Sequence, residues 1–392
     1  MTTLTVITKR IGPIRGRHPW VFSGAFKSIP DGILSGEPVK LVDEKGTFLA
    51  QGYFNSYSQI AARLWSWEEN DLIDKDFFVK RISQAYELRK RYVAASDTTA
   101  YRVVYGENDL LPGLVVDKYD EYLSVQFHTT GIERWKQDVV VALVGVFKPK
   151  GIYERSDVSI RGHEKKETSV GVLYGEVPEQ VEILEHGIRF WVNIQEGQKT
   201  GFFLDQRDKR FALKKYVSGK KVLNCFSYTG GFSVYALAGG AKQVVSVDSS
   251  EEAIELVQKN VALNNFDIKR SEAVVSDVKK YLGAVVQGDF DVIILDPPAF
   301  VKDRRKVKEG LVGYRTINEM ALRLLPSGGI LVTASCSAHV SLRDFRFVLS
   351  EAAARSGRTV QIIETYTHGI DHPELIAFTE GEYLKCLFTV VY

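Results

Sequence analysis

The sequence predicts an α/β protein whose C-terminal half is an open, mostly parallel sheet, preceded by a small β-rich module and a central α+β module. Three observations carry that reading. From about residue 219, apolar runs (VLNCF, QVVSVD, SEAVV, DVIILDPP, ILVTASCS) alternate with helical stretches, as buried parallel strands covered on both faces do. Residues 1 to 72 instead give short alternating runs such as EPVKLVD, FLAQGYF and QIAARLWSW between Gly, Asn and Ser turns. The 392-residue length exceeds one ordinary domain, which spans roughly 100–200 residues.

Composition excludes several classes. Lys and Arg total 51 against 49 Asp and Glu, so a nucleic-acid surface must be a local patch rather than a global excess. The basic N-terminus is followed by no apolar h-region, and no run reaches the ~18 apolar residues of a membrane span. The expectation is a soluble, cytoplasmic protein with no membrane partner. Cys225, Cys336 and Cys386 are odd in number, far apart and never in a C-x-x-C pair, which argues against a disulfide framework and a zinc site, so no metal is expected.

Taken in order, the elements are these. Within the first module, RIGPIRGRHPWVF interleaves Arg10, Arg15, Arg17 and His18 with Trp20 and Phe22, the pattern of a surface that binds phosphates and stacks bases, or of a solvated basic turn around a core Trp. Residues 74–93 read as an amphipathic helix opening the central module. Strands YRVVYG, GLVVDKY and YLSVQFH, a helix near 131–147 and the strand GIYERSD follow, then a hairpin, VEILEHGIRFWVNIQ. The expected division is 1–73, 74–185 and 186–392, with the hairpin at 181–195 as connector. TVQIIETY and YLKCLFTVVY, joined by a long loop without a helix, read as a terminal antiparallel hairpin added to the parallel sheet.

In such sheets ligands bind beyond the carboxyl ends of the strands, which here carry Asn224, Phe226, Asp248, Asp277, Asp296 and Cys336. Asp248, 24 positions after Asn224, stands where an acid hydrogen-bonds ribose hydroxyls. The turn SYTGG lacks the glycine pattern that brings backbone against a pyrophosphate, which disfavours a nicotinamide-dependent dehydrogenase and suits S-adenosylmethionine, a cofactor without phosphate. DPPAF stops a strand with two prolines and leaves Asp296 directed into the crevice or, more simply, capping a turn. Cys336, flanked by Ser335 and Ser337 at the end of the next strand, would share that pocket. Beyond DPPAF, the run KDRRKVK places Lys302, Arg304, Arg305, Lys306 and Lys308 at the crevice mouth, as a phosphate contact or a solvated charge run.

EGQKTGFFLDQRDKR, LNCFSYTGGF, VDSS, DPPAF and SCS, in this order, resemble the bacterial 23S rRNA cytosine-C5 methyltransferases of the large-subunit methyltransferase I family, over essentially the whole chain. The GQKTGFFLDQR string is the most distinctive part. The resemblance implies an N-terminal PUA-like RNA-binding domain, a central α+β domain and a Rossmann-like class I methyltransferase sheet. It implies S-adenosylmethionine as cofactor and large-subunit ribosomal RNA as partner; a homodimer stays open. By the same resemblance, Phe226, Ser227, Tyr228, Thr229 and Gly230 cradle the methionine part, Asp248 with Ser249 meets the ribose, and Ser276 with Asp277 approaches the adenine. Gln206 and Arg207 close over the cofactor, Lys199 and Thr200 serve the same region, and Asn224, Asp296 and Pro297 complete the set. Arg207 also reads as an ordinary ion pair on a helix.

Cytosine C5 is a weak nucleophile, and enzymes of this kind add a thiolate to C6 first. Cys336 is the expected nucleophile and Asp296 the group that hydrogen-bonds the N3 and N4 edge. Arg15, Arg17, His18, Lys302, Arg304, Arg305 and Lys306 are the expected RNA contacts, and Cys225 is assigned to packing. Two alternatives remain: an exocyclic-amine (guanine N2 type) methyltransferase, against which Ala299 separates the prolines from Phe300, and a non-catalytic RNA-binding protein with a relic domain.

Overall fold

The computed structural model describes residues 1 to 392 other than 159, 165 and 302. Two compact units result: Met1–Ile183 with Val192–Leu204 and Ile370–Gly381, and Leu184–Trp191 with Asp205–Gly369 and Glu382–Tyr392.

In the first unit, β1 (Thr2–Thr5), α1 (Ile11–Arg15), β2 (Trp20–Phe22), β3 (Pro38–Val42), β4 (Phe48–Phe54) and β5 (Ile60–Ser66) build a sheet of order β1-β3-β4-β5-β2. Only the β1–β3 pairing is parallel. Alternation of Val39 and Leu41 with Lys40 puts every second side chain into a core with Leu4, Val6, Ile14 and Leu64. The amphipathic helix is α2 (Lys75–Tyr92), capped by Asp74, whose side chain accepts from the Phe77 N–H at 3.0 Å. Its Phe78, Ile82 and Ala85 stripe is buried.

A second sheet follows from β6 (Ala100–Tyr105), β7 (Leu114–Tyr119), β8 (Tyr122–Phe127), α3 (Thr130–Arg134), α4 (Lys136–Phe147), β9 (Gly151–Ser156), α5 (Ile160–His163) and β10 (Ser169–Gly175), ordered β10-β9-β8-β7-β6. β8 and β9 pair in parallel because the α3–α4 segment crosses between them; the other pairings are antiparallel. The hairpin β11 (Gln180–Glu185) and β12 (Ile188–Asn193) turns through His186 and Gly187, whose φ values of 49° and 75° are the signs a type I′ turn requires.

The second unit runs α6 (Arg207–Leu213), β13 (Lys221–Cys225), α7 (Gly231–Ala238), β14 (Gln243–Asp248), α8 (Glu251–Leu263), β15 (Ser271–Val275), α9 (Val278–Ala284), β16 (Val292–Leu295), α10 (Val307–Leu324), β17 (Gly329–Ser335), α11 (Leu342–Ser356), β18 (Val360–Tyr366) and β19 (Lys385–Val391). Its sheet has the order β15-β14-β13-β16-β17-β19-β18, parallel except for β19, which lies antiparallel between β17 and β18. The expected α/β sheet with a terminal antiparallel hairpin is the observed one. The strand order reverses between β13 and β16, and the crevice of such a sheet opens at that switch point. Leu223, Cys225, Val245, Val247, Ile293, Leu295 and Leu331 pack one face of it against Tyr314, Ile317, Leu322 and Phe345 of α10 and α11. Among the described residues, no helix is long and apolar enough to cross a membrane.

Candidate active site

The first strand of the second unit delivers an unusual turn. Phe226 and Tyr228, neither of them glycine, have φ of 58° and 46°, and Gly230 has 81°. Left-handed backbone at a bulky residue costs about 1–3 kcal/mol and persists only where the surroundings impose it. Here they do. The Ser227 N–H donates to the Val247 carbonyl at 3.0 Å, the Tyr228 N–H to Asp248 Oδ2 at 2.8 Å, the Asn260 amide to the Thr229 carbonyl at 2.9 Å, and the Gly230 N–H to the Ser227 carbonyl at 2.9 Å. At Gly230 a Cβ would meet the Val257 methyls at 3.0 and 3.1 Å, so glycine is required on both counts.

That turn buries polar atoms without satisfying them. Asn224 donates to Ser233 Oγ at 2.9 Å, yet Asn224 Oδ1, Ser227 Oγ and Thr229 Oγ1 are buried with no hydrogen-bond partner among the described residues. Gln206, which precedes α6, donates to Asp296 Oδ1 at 2.8 Å and leaves its own Oε1 buried and unpartnered in the same sense. An unpaired buried polar atom costs about 1–3 kcal/mol, so a set of them at the strand ends fits a polar ligand that completes them.

The other predicted residues fall as follows. Asp248 is half-buried and ties the turn to β14, with Oδ1 accepting from the Ser250 N–H at 3.0 Å; Ser249 beside it is exposed. Asp277 is exposed and caps α9 by accepting from the Lys280 N–H at 2.9 Å, and the Ser276 N–H donates to the Asp248 carbonyl at 2.8 Å. Arg207 is buried at the start of α6, its Nε 3.6 Å from Asp208 Oδ1. Lys199 and Thr200 count with the first unit; the Thr200 hydroxyl donates to Asp117 Oδ2 at 2.5 Å, a structural bond.

Cys336 follows β17 and is half-buried, while Asp296 and Pro297 follow the neighbouring β16. The Cys336 thiol lies 3.8 Å from the Pro297 carbonyl oxygen, so thiol and carboxylate-bearing turn are adjacent, as the strand order predicts. Cys225 and Cys386 differ sharply from it: both are fully buried, and burial pushes both thiols well up, away from reactive thiolates. Around Cys336, Val301 N–H donates to Ser337 Oγ at 3.2 Å, and the Tyr314 hydroxyl lies 2.9 Å from the same oxygen.

The predicted RNA contacts divide. Arg15 and Arg17 are exposed, Arg17 lying 5.4 Å from the centre of the Trp67 ring and 3.8 Å from Glu68. His18 is partly buried with Nε2 3.3 Å from Glu380. Of the two readings of this stretch, Trp20 fits that of a packed ring: it donates its indole N–H to Glu107 at 2.8 Å and packs edge-on against Phe378 with ring centres 4.7 Å apart. Phe22 is the exposed aromatic there. Arg304, Arg305 and Lys306 form an exposed turn before α10, but Arg305 is clamped by Asp303 at 2.6 Å; Lys302 lies outside the described residues.

Sequence reasoning missed the supports. Arg210 and Glu185 form a fully buried two-point pair at 2.7 and 2.6 Å, and Tyr235 donates to the Glu185 carbonyl at 2.9 Å, locking α6, the hairpin and α7 together. Tyr383 donates to Asp205 Oδ2 at 2.5 Å, beside Gln206. No periodicity announces pairings of such sequence separation.

Residues 155–387 match the model of the S-adenosylmethionine-dependent methyltransferase family, and residues 4–67 match that of the PUA-like domain. The chain is 42% identical over 372 residues, 94% of its length, to ribosomal RNA large subunit methyltransferase I of Klebsiella pneumoniae (strain 342), of which 93% is covered. It belongs to the ribosomal RNA large subunit methyltransferase I family. The Enterobacter sp. (strain 638) member is 42% identical with 98% of both chains covered. In solved structures, a protein described as a SAM-dependent methyltransferase from Streptococcus mutans superposes with a TM-score of 0.84 at 26% identity, and a methyltransferase complexed with SAH does so at 0.85 and 25%, each over the full length of both chains. Membership fixes the fold, with its PUA-like N-terminal domain, and the cofactor: the enzyme is an S-adenosylmethionine-dependent methyltransferase, and the unpartnered oxygens of Gln206, Asn224, Ser227 and Thr229 fit that polar, phosphate-free ligand.

Proposed function

We propose that the enzyme makes 5-methylcytosine in large-subunit ribosomal RNA through a covalent bond between Cys336 and C6 of the base. The names of the relatives support the RNA; the observation that carries the C5 chemistry is a half-buried thiol against the Pro297 carbonyl, in the turn that carries Asp296, in a chain whose other two cysteines are sealed in the core. Phe226, Ser227, Tyr228, Thr229 and Gly230 hold the methionine part of the cofactor, with Gln206, Arg207, Asn224 and Pro297 around it. Asp248 and Ser249 serve the ribose, Ser276 and Asp277 the adenine. When bound, the cofactor supplies an electrophilic methyl group.

Cys336 adds its thiolate to C6, and the C5=C6 electron pair is pushed toward N3, where Asp296 hydrogen-bonds the edge that gains the proton. The C4–C5 double bond that results makes C5 nucleophilic. Once C5 carries the methyl group that the cofactor would supply, loss of its proton to water re-forms C5=C6 and expels Cys336 as the thiolate, and N3 gives back its proton. The base must leave its stack to reach the thiol, which selects a loop or a flipped nucleotide. We assign RNA binding to the module of residues 1–73, through exposed Arg15 and Arg17 with His18, and to Arg304 and Lys306, with Arg305 weaker because Asp303 already holds it. The chemistry lies within residues 186–392. A ribosomal substrate implies work in the cytoplasm.

The test is incubation with adenosylmethionine and large-subunit RNA carrying 5-fluorocytidine in place of cytidine. A denaturation-resistant protein–RNA adduct is expected from the parent and none from Cys336→Ala. Methyl transfer to unsubstituted RNA without any adduct would instead favour methylation of an exocyclic amine.

A further inference from the structure

A thiolate in a half-buried pocket needs a positive charge, and the obvious cations of the site are engaged elsewhere. Arg207 lies beside Asp208, and Arg210 is consumed by Glu185. One lysine is not. Lys385 opens β19 and pairs across the sheet with Ser335, the residue before Cys336. Its ammonium donates to the carbonyl of Ser337, the residue after Cys336, at 2.9 Å, and to the Tyr383 carbonyl at 2.9 Å. The side chain is among the largest fully buried ones in the chain, and no carboxylate forms an ion pair with it among the described residues. Two of three ammonium protons are thus spent on neutral carbonyls, one of them directly after the thiol-bearing residue, and no carboxylate is in direct contact with the charge among the described residues.

Burying a lone ammonium is costly, and a chain that uses a lysine where leucine would pack gains nothing from it by packing alone. Resting on the reading of Cys336 as nucleophile, we propose that Lys385 is its positioning residue: an ammonium fixed on the Ser337 carbonyl that keeps Cys336 in the thiolate form. The two groups feel each other's charge. Burial lowers the lysine's proton affinity, while the charges of Glu382, Cys336 and Asp344 raise it. The same reciprocity lowers the proton affinity of the thiol. Tyr314 on α10 also feels the charge of Cys336, and burial holds its hydroxyl above its usual range, so it stays protonated; the Asp296–Pro297 turn after β16 lies beside the thiol, and Lys385 supplies a positive charge next to it.

The measurement is the pH dependence of iodoacetamide alkylation at Cys336 in the full chain, followed on the Cys336 peptide by mass spectrometry. The parent is expected to react with a midpoint below the ordinary thiol value of about 8.5. Lys385→Met should raise that midpoint by at least about one unit, a roughly tenfold slower reaction near neutrality, and Lys385→Arg should restore it. A parent midpoint at or above the ordinary value, or one unchanged in a folded Lys385→Met protein, overturns the proposal. Should Lys385→Met fail to fold, 13C-lysine NMR of the Cys336→Ala protein decides, because loss of the thiolate must lower the Lys385 titration midpoint; no shift overturns the proposal. Neither readout uses RNA. A thiolate tuned by Lys385 with no 5-fluorocytidine adduct would sink the cytosine-C5 reading alone, and an adduct with an untuned thiol would sink only the role of Lys385.

Discussion

The buried ion pairs of the first unit and the strand ends of the second handle polarity differently. In the first, Arg102 and Asp117 are buried against each other, with two guanidinium nitrogens (Nε and Nη2) each 2.8 Å from a carboxylate oxygen, and Thr200 donates to the same carboxylate; Arg89 and Asp109 pair likewise at 2.6 and 2.8 Å. Those pairs are complete in themselves, although Trp65 Nε1, Ser124 Oγ and Trp135 Nε1 of the same unit are buried without a hydrogen-bond partner among the described residues. At the strand ends of the second unit, Gln206, Asn224, Ser227 and Thr229 each bury an oxygen that the described chain leaves unmatched. A complete buried ion pair specifies a fold, whereas a cluster of unmatched oxygens gathered beyond the strand ends is a place that a polar ligand fits.

That contrast can be broken or sharpened by experiment. The largest effect is expected at the reactive end of the second unit, where Cys336→Ala should lower methyl transfer to ribosomal RNA by at least ~10³-fold with unchanged thermal stability. A tritium-transfer assay beside a melting curve separates the two. Arg102→Met should do the reverse, costing about 3–5 kcal/mol in urea unfolding by leaving Asp117 buried without its cation, held only by the Thr200 hydroxyl, with cofactor affinity unchanged. If it weakened cofactor binding in protein that is still folded, the assignment of that pair to structure alone would fail.

A pH scan adds a signature of the first unit. Burial, with the charges of Arg102, Arg161 and Arg63, holds His128 down to about 4. Its folded value lies below the unfolded value of about 6.5, so the unfolded chain binds more protons between those limits and stability falls as pH drops through that window. His128→Asn should flatten the slope of unfolding free energy against pH there.

Smaller effects are expected at the cofactor turn. Gly230→Ala forces a Cβ onto Val257 at positive φ and should cost about 1–3 kcal/mol of stability along with affinity. Ser227→Ala and Thr229→Val should each weaken adenosylmethionine binding by about three- to tenfold in calorimetry while leaving stability equal or slightly higher. Lower stability with unchanged affinity would mean that those hydroxyls serve the fold and erase the contrast.

Much of the second unit was legible because its signals are local. Apolar runs of strand length, punctuated by turns, specify parallel strands, and the rule that ligands gather at their carboxyl ends singled out Asp248, Asp296 and Cys336 before any coordinate. Trp20 was not legible, since a Trp among arginines has the same letters whether it stacks on a base or on Phe378, more than three hundred residues away. The same holds for Gln206 and Asp296, 90 positions apart.

The sequence by itself determined the α/β class, the terminal antiparallel hairpin and the order of the strand-end residues, because periodicity and turn chemistry act over a few neighbouring positions. Only the tertiary structure decided that Ile370–Gly381 counts with the first unit although it lies between strands of the second, that Arg210 is spent on Glu185, and that Lys385 brackets Cys336. Those outcomes depend on which distant groups meet in a water-poor interior, where an ionic or polar group takes whatever partner the packing brings it.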